Sequence, residues 1–310
     1  MPRLLDLAHV EPRVRAARIA DGTFAEHRRG LCMLVPSTDD AYIDTVLAEA
    51  RAVLAVSKGD LWFSHVTAAL LYGAWVFNVP ALVHVTHVFH PHIAEESEPM
   101  LRRHHTPLPG RDRAVLGGVP VTSIERTLVD CIRSLPPASA LTVCDSLFRL
   151  GADPWTVSRI MTESRGKRGI VQARWILSVC DPRSASPGES VARYAALDDG
   201  LPRPACQLEV ATPTGEFFLD LAWVDVRFAL EFDGAVKYSG GEYGDPDEVR
   251  RAEARRQRAL EKAGWIVLRV TWDDLADLVA LGRRIRDAYR VAARRRADRQ
   301  GIEPVAAWSG

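Results

Sequence analysis

The sequence predicts an α/β protein of the α+β type that contains more than one domain, and three observations support this prediction. The chain has 310 residues, which exceeds the roughly 250 to 300 residues that a single hydrophobic core serves. Hydrophobic residues make up 47% and charged residues 26% of the chain, a balance typical of folded proteins. Segments with helical and strand-like periodicity alternate, and after residue 188 they predict the element order αβββαβα.

The overall composition argues against several classes of protein. No apolar run reaches the roughly 18 to 20 residues needed to cross a bilayer, and the first residues carry acids without a signal-peptide core. We therefore expect a cytoplasmic protein without a membrane partner. Five scattered cysteines form no C-x-x-C pair, so neither a disulfide framework nor a cysteine zinc site is indicated. Because 40 basic residues balance 40 acidic ones, a nucleic-acid-binding surface must be a local patch.

The first part of the chain predicts two segments of different character. The N-terminal one contains FAEHRRGLCMLV, a basic run followed by an apolar one, which is compatible with the wing hairpin of a partial winged helix. The next predicts a mixed α/β domain, since Ser64 precedes a helix, ALVHVTHVF is typical of a strand and Ser123 precedes another helix. DPRSASPG indicates a linker. The predicted segments are therefore 1–60, 61–180, the linker at 181–188, and 189–300.

The last of these segments carries the clearest pattern. Its second helix has strong start signals, with Asp245 as N-cap and Pro246 in the first helical position. Thr271 and Asp274 have the spacing of a capping box for a final amphipathic helix. The other predicted elements are a helix at Glu189–Asp198 and strands at Gln207–Thr212, Glu216–Trp223, Arg227–Asp233 and WIVLRV.

Two acids interrupt consecutive strands that are otherwise apolar on both faces, Asp220 in FFLDLAW and Glu231 in FALEFDG. A hairpin that turns between Asp225 and Val226 places them directly opposite each other, with Cβ atoms about 4.5 to 5.5 Å apart. Asp233 projects from the same strand face as Glu231. An unpaired buried charge costs several kcal/mol, so each acid needs a proton, a basic partner or a cation.

A bound divalent cation resolves this conflict between like charges. Mg²⁺ (or Mn²⁺) favours carboxylate oxygens and keeps several waters for chemistry. Two further residues fit a catalytic interpretation: Glu189 begins the preceding helix, and Lys237 follows the third strand closely enough to reach a phosphate oxygen. We therefore predict that Glu189, Asp220 and Glu231 bind the metal and that Lys237 or Asp233 helps to orient the attacking water. The alternative is that arginines of this region pair with the acids.

One face of the helix that starts at Pro246 is predicted to contact nucleic acid. Four basic residues on it recur at helical spacing and so share one side. Such a face suits the phosphates of DNA, and a solvated helix surface is the alternative interpretation. The final helix adds eight arginines against two aspartates in residues 281–300. The four residues that share the predicted DNA face are Arg251, Arg255, Arg258 and Lys262.

From Glu189 to about Leu275 the chain resembles the PD-(D/E)XK nuclease superfamily, and within it the branch related to very-short-patch-repair endonucleases. The segments that carry the resemblance are FFLDLAW, LEFDGAVKY, RRAEARRQRAL and GWIVLRVTWDDL. The resemblance implies an αβββαβ restriction-endonuclease-like core with a mixed sheet and, where the site is active, Mg²⁺-dependent phosphodiester hydrolysis. By motif position it makes Asp220 the first strand acid, Glu231 the second and Glu189 the helix acid.

Two features favour a non-enzymatic alternative. Two residues after the second strand acid, where many members of the superfamily have lysine, this chain has Asp233, which leaves Lys237 as a candidate migrated lysine. The first 180 residues resemble the AbiEi-type antitoxins of type IV toxin-antitoxin systems through RRGLCMLV, SHVTAALLYG and VPVTSIERTLVD. That resemblance implies a winged helix before a mixed domain, repression of the protein's own operon and a cognate toxin as partner. The alternative function is therefore a DNA-binding regulator with an inactive nuclease fold.

Histidines are concentrated in the segment HVTHVFHPH. If this segment is a strand, His84, His90 and His92 share one face and His87 lies on the other, so the spacing is a poor match to a metal-binding motif. We interpret these histidines, and the pair in LRRHHTP, as surface or core residues.

Overall fold

The chain folds as two compact units, Met1–Trp175 and Ile176–Gly310, in a computed structural model. The structure describes residues 4–6, 24–28, 31–34, 41–57, 60–88, 100–213, 215–234 and 246–300. Helices and mixed or antiparallel sheets occur in the described parts, which confirms the predicted α+β class. None of the described helices combines the length and the apolar character that crossing a lipid bilayer requires.

The first unit begins with a small antiparallel sheet in the strand order β1-β3-β2. Strands β2 and β3 form a hairpin within FAEHRRGLCMLV, the segment that the sequence predicts to be wing-like. Its basic run and its apolar run pair with each other as antiparallel strands. The strands of this sheet are β1 (Leu4–Asp6), β2 (Phe24–Arg28) and β3 (Leu31–Leu34).

A second sheet of the first unit has the strand order β6-β5-β4-β8-β7. The pairs β4–β8 and β5–β6 are parallel, and the other two pairs are antiparallel. Phe63, Val83, Val85 and Val121 are fully or almost fully buried and form part of its core. The strands are β4 (Trp62–Phe63), β5 (Val83–His87), β6 (Leu101–His105), β7 (Arg113–Leu116) and β8 (Val119–Thr122).

Along the chain, the helices of this region lie before, between and after the strands of this sheet. Ser123 caps the third helix as predicted, because its side chain accepts a hydrogen bond from the backbone N–H of Arg126. Ser64 occupies the N-cap position of the second helix, although its side chain makes no capping hydrogen bond. The helices are α1 (Ala41–Val56), α2 (His65–Leu71), α3 (Ile124–Ser134), α4 (Pro137–Arg149), α5 (Pro154–Glu163) and α6 (Ile170–Val179).

A buried network of charges joins α3 to the segments before it. The Nε of Arg126 donates to Asp130 at 2.8 Å, and its Nη1 donates to the carbonyl oxygen of Pro107 at 3.2 Å. Burial raises the pKa of Asp130, while the Arg126 guanidinium opposes that rise. Asp112, the third charged member, accepts a hydrogen bond of 2.7 Å from Arg159. Arg126 is therefore the main neutralising partner of Asp130 inside this unit.

The second unit has the predicted element order αβββαβα, which agrees with the alternation of periodicities in the sequence. Its sheet has the strand order β12-β11-β10-β9, in which β11 and β12 are parallel and the other pairs antiparallel. The elements are α7 (Pro187–Asp198), β9 (Ala205–Thr212), β10 (Gly215–Trp223), β11 (Phe228–Asp233), α8 (Pro246–Lys262), β12 (Ile266–Thr271) and α9 (Leu278–Gln300).

The start of the final helix differs from the prediction. The backbone N–H of Thr271 donates to Asp274 at 2.8 Å, so the predicted capping contact forms, but it closes a short 3₁₀ turn at Asp273–Ala276. Helix α9 begins at Leu278. The side chain of Asp277, the residue before it, accepts hydrogen bonds from the backbone of Val279 and Ala280. Two capping acids follow each other along the chain, and the second one starts the α-helix.

Candidate functional site

The hairpin of β10 and β11 brings the predicted strand acids together. Leu221 pairs with Leu230 in the register that the sequence predicts, and the ladder ends at this pair, next to Asp220 and Glu231. The backbone N–H of Phe232 donates to Asp220 Oδ2 at 2.8 Å. The side chain of Asp220 thus takes a donor of the neighbouring strand, which fixes the carboxylate against the sheet.

Four acids line one cavity of about 140 Å³, and three of them, Asp220, Glu231 and Asp233, come from the hairpin strands. Glu231 is 7% exposed. The Oδ1 atom of Asp233 is buried and accepts no hydrogen bond from any described residue. Because a buried oxygen without a partner is costly, this atom is available to a ligand that enters the cavity. The remaining lining residues are Phe232, Glu253, Arg256 and Arg269.

Arg256 of α8 is the basic partner of Glu231. Its Nη1 donates to Oε2 at 2.7 Å, and its Nη2 lies 2.6 Å from Oε1 in an ion-pair contact that is not an aligned hydrogen bond. Burial raises the pKa of Glu231, the charge of Asp220 adds to the rise, and Arg256 opposes it. Arg269 of β12 pairs with Glu253 across the same cavity. The alternative interpretation, in which arginines pair with the acids, therefore holds for Glu231, whereas Asp220 accepts its hydrogen bonds from Gln207 and the backbone.

Gln207 connects Glu189 to Asp220. Its Nε2 donates to Glu189 Oε2 at 3.0 Å and to Asp220 Oδ1 at 3.1 Å. Gln207 has a positive φ of 50°, a conformation that costs a non-glycine residue about 1 to 3 kcal/mol and that is concentrated at functional sites. Glu189 also accepts hydrogen bonds from the backbone of Ala185 and the hydroxyl of Ser186. Burial, and then the charge of Asp220, raise its pKa.

The predicted binding of one ion by Glu189, Asp220 and Glu231 stays a prediction, and the structure shows where Glu189 lies relative to the two strand acids. This residue does not line the cavity that Asp220 and Glu231 share. Among the described residues, neither the set Glu189, Asp220 and Glu231 nor the set Asp220, Glu231 and Asp233 offers oxygens that all lie within 4.8 Å of one another. Gln207 donates to both Glu189 and Asp220, so its amide lies between these two acids. Glu189 therefore acts on Asp220 through a hydrogen-bonded neighbour.

The predicted basic face of α8 is exposed along its length, since Arg251, Arg255, Arg258 and Lys262 are all exposed. None of the four lines the acidic cavity, which Arg256 of the same helix reaches instead. Arg256 precedes the buried Ala259 and Leu260 by three and four residues, so it belongs to the stripe that packs on the sheet. That spacing is the signal in the sequence that identifies it. Lys237 lies outside the described residues, as does Asp245.

Two curated proteins of Mycobacterium tuberculosis, uncharacterized protein MT2308 and uncharacterized protein Rv2248, are similar to this chain. Each is 31% identical over 211 residues, which cover 67% of this chain and 73% of the relative. No family model matches the sequence. Neither name states an activity, so the similarity establishes a family relationship and carries no information about the chemistry of the site.

Proposed function

We propose that this chain, which belongs to the family of the uncharacterized Mycobacterium tuberculosis proteins MT2308 and Rv2248, is a Mg²⁺-dependent nuclease that hydrolyses phosphodiester bonds of DNA. The observation that carries the proposal is the convergence of Asp220, Glu231 and Asp233 on one cavity, in which a buried oxygen of Asp233 has no hydrogen-bond partner among the described residues. It agrees with the resemblance of this region to PD-(D/E)XK nucleases of the very-short-patch-repair type. We expect the protein to meet its DNA in the cytoplasm.

The donor set of this cavity fits Mg²⁺ or Mn²⁺. Carboxylate oxygens are the ligands that these hard cations prefer, and about 140 Å³ accommodates a cation with several waters at roughly 30 Å³ each. Asp220, Glu231 and Asp233 line the cavity and would hold the ion once their side chains move closer together, since their oxygens do not all lie within 4.8 Å of one another. When bound, Mg²⁺ lowers the pKa of a coordinated water and neutralises charge on the phosphate.

The surrounding residues have distinct roles in this proposal. Glu189 is a positioning residue, because it orients Asp220 through the amide of Gln207. Arg256 supplies the cation beside Glu231, a place that lysine fills in many members of the superfamily and that Asp233 cannot fill here. A guanidinium donates two parallel hydrogen bonds to a phosphate, so Arg256 is suited to bind the scissile group once it exchanges partners. Lys237 remains a proposed second cation.

Cleavage by the full-length wild-type protein tests the proposal. Supercoiled plasmid, a duplex oligonucleotide and single-stranded DNA are incubated with Mg²⁺, with Mn²⁺, with Ca²⁺ and with EDTA. We expect cleavage with Mg²⁺ and Mn²⁺ and none with EDTA, because the hydrolytic water depends on the metal. Absence of cleavage of all three substrates with either Mg²⁺ or Mn²⁺ would overturn the enzymatic function.

The exposed basic face of α8 is expected to provide DNA affinity independently of cleavage. Replacing Arg251, Arg255 and Arg258 together by glutamine is expected to reduce the slope of log affinity against log salt by about 3, since each phosphate contact contributes about 0.9. Fluorescence anisotropy with a labelled duplex in EDTA, at several salt concentrations, measures this slope. A matched control removes the exposed cations Arg165, Lys167 and Arg168 of the first unit. An equal change of slope in both variants would contradict a specific role of the α8 face.

A second candidate function is an AbiEi-type antitoxin that represses transcription and retains the nuclease fold without activity. The ion pair between Arg256 and Glu231 favours it, because a guanidinium there neutralises one predicted metal ligand, and Asp233 replaces the usual lysine. This function requires binding to the DNA upstream of the protein's own gene and a cognate toxin as partner. A gel shift on that DNA that is insensitive to EDTA, together with an inert wild-type protein in the cleavage assay, supports this candidate over the nuclease.

A further inference from the structure

Three histidines of the first unit converge although they are distant in the sequence. His65 is the first residue of α2, His84 lies on β5 and His104 lies on the adjacent parallel strand β6. His104 pairs in register with Thr86, so it shares a sheet face with His84. The ring centroids of His65 and His104 are 3.7 Å apart, and those of His84 and His104 are 5.2 Å apart.

The neighbouring histidines lie on the other face of the same strands. His87 pairs in register with His105, and their ring centroids are 6.0 Å apart. His84 and His87 therefore separate as strand alternation predicts, while His90 and His92 lie outside the described residues. The sequence pattern did not indicate His65, because it belongs to a helix that reaches this sheet only in the folded chain.

The ring nitrogens of the cluster are spaced for sharing one ion. His84 Nδ1 lies 2.9 Å from His104 Nε2, and a single proton occupies such a contact between neutral imidazoles. One nitrogen from each of the three rings lies within 4.8 Å of the other two. Nitrogen ligands at about 2.0 to 2.1 Å from a tetrahedral zinc ion stand roughly 3.3 Å apart. The three rings are stacked, with interplanar angles of 14° to 30°, so binding one ion requires the rings to rotate until their in-plane nitrogen lone pairs converge.

The local chemistry favours the form of histidine that binds metals. Burial, followed by the charges of His104 and His84, lowers the pKa of His65 well below its usual value. Burial also lowers the pKa of His84 to about 4, with Arg102 contributing, and that of His104 to about 3, with His84 contributing. All three imidazoles are consequently neutral at neutral pH, and neutral imidazole is the common ligand of transition metals.

The surrounding backbone holds the rings in place. His65 has a positive φ of 51°, a strained conformation for a residue with a side chain, and such strain is concentrated at ligand sites. The hydroxyl of Ser64 lies 3.0 Å from His65 Nδ1, which leaves Nε2 as the ligand atom. The backbone N–H of His84 donates to the hydroxyl of Thr67 at 2.8 Å. The contact at His65 Nδ1 is of the kind that orients metal-binding histidines, whose second ring nitrogen commonly takes part in a hydrogen bond.

We propose that His65, His84 and His104 form a binding site for one divalent transition metal ion of the zinc class. Three imidazoles suit Zn²⁺, Co²⁺ or Ni²⁺ and are poor ligands for Mg²⁺, which prefers oxygen. Three protein ligands leave a fourth position for water or a ligand oxygen. The site belongs to the first unit and includes none of the acids of the second unit, so its test is independent of the nuclease proposal.

The test measures Zn²⁺ and Co²⁺ binding to the full-length protein without a polyhistidine tag. Isothermal titration is carried out in excess Mg²⁺, which occupies oxygen sites and does not compete for imidazoles. We expect one Zn²⁺ per chain, visible absorption bands with Co²⁺, and shifts of the imidazole nitrogen resonances of these three histidines. His104→Gln is expected to weaken binding more than about 100-fold, because the loss of an orienting contact alone costs 10- to 100-fold.

His105→Gln is the matched control, since His105 is the next residue of β6 and is exposed. It is expected to bind Zn²⁺ as tightly as the wild type. If His104→Gln does not fold by circular dichroism, His84→Asn and the nitrogen resonances of the wild type decide the question. Failure of the wild type to bind either ion, or retention of binding in a folded His104→Gln, would show that the cluster is a packed polar group only.

Discussion

Replacing Asp220 by asparagine is expected to reduce the rate of Mg²⁺-dependent DNA cleavage by about 10³-fold or more. Asparagine keeps the size of the side chain and an oxygen that can accept the hydrogen bond from the backbone of Phe232, so the hairpin is retained. It removes the negative charge that binds the ion, and metal ions stabilise such transition states by several kcal/mol, where about 1.4 kcal/mol corresponds to a factor of ten in rate. Single-turnover cleavage of a labelled duplex measures the rate.

The control for this experiment is Asp225→Asn, which changes the same functional group in the exposed turn between β10 and β11. It is expected to cleave at the wild-type rate. Both variants should bind DNA with wild-type affinity in EDTA, because neither change touches the basic face of α8. If wild-type protein cleaves and the folded Asp220→Asn variant cleaves equally fast, the acidic cavity is not the catalytic site.

Replacing Arg126 by methionine is expected to destabilise the protein by about 3 to 5 kcal/mol, the usual cost of removing one partner of a buried ion pair. Arg126 has 6% of its surface exposed and neutralises Asp130, whose other guanidinium contact, Arg133, is 3.8 Å away. Methionine fills much of the same volume, so the loss is mainly electrostatic. Chemical denaturation monitored by circular dichroism measures the free energy of unfolding.

Two further variants separate the ion pair from general effects of losing an arginine. Arg111→Met removes an arginine whose side chain is 59% exposed and which pairs with Glu163, and it is expected to change the free energy of unfolding by less than about 1 kcal/mol. Adding Asp130→Leu to Arg126→Met is expected to recover part of the lost stability, because no uncompensated charge remains. A single Arg126→Met variant as stable as the wild type would contradict a structural role for this pair.

Much of the second unit was predictable because its signals are local. Strand alternation and the turn near Asp225 sufficed to predict the register of β10 and β11, which the pairing of Leu221 with Leu230 confirms. In the first unit, the N-cap role of Ser123 was predictable for the same reason, since a polar residue there precedes an apolar helix face. The prediction at Thr271 and Asp274 was wrong for the α-helix, since a second capping residue, Asp277, follows within a few positions.

The candidate site was predictable only where its members share one hairpin. Asp220, Glu231 and Asp233 lie on two consecutive strands, so the period of the side chains along each strand brings them to one face. Gln207, Arg256 and Arg269 come from β9, α8 and β12, and their approach depends on how those elements pack. The many arginines of α8 draw attention to its exposed face. The residue of this helix that reaches the cavity is Arg256, which belongs to the stripe that packs on the sheet.

The sequence by itself determined the order of elements, the hairpin register and the presence of acids in apolar strands, because each follows from periodicities of a few residues. Tertiary structure alone decided that an amide separates Glu189 from Asp220, that Arg256 neutralises Glu231, and that His65 joins two histidines of a sheet. These contacts connect residues about 10 to 40 positions apart. Their physical cause is the packing of separate elements, which depends on the shape and volume of a whole core.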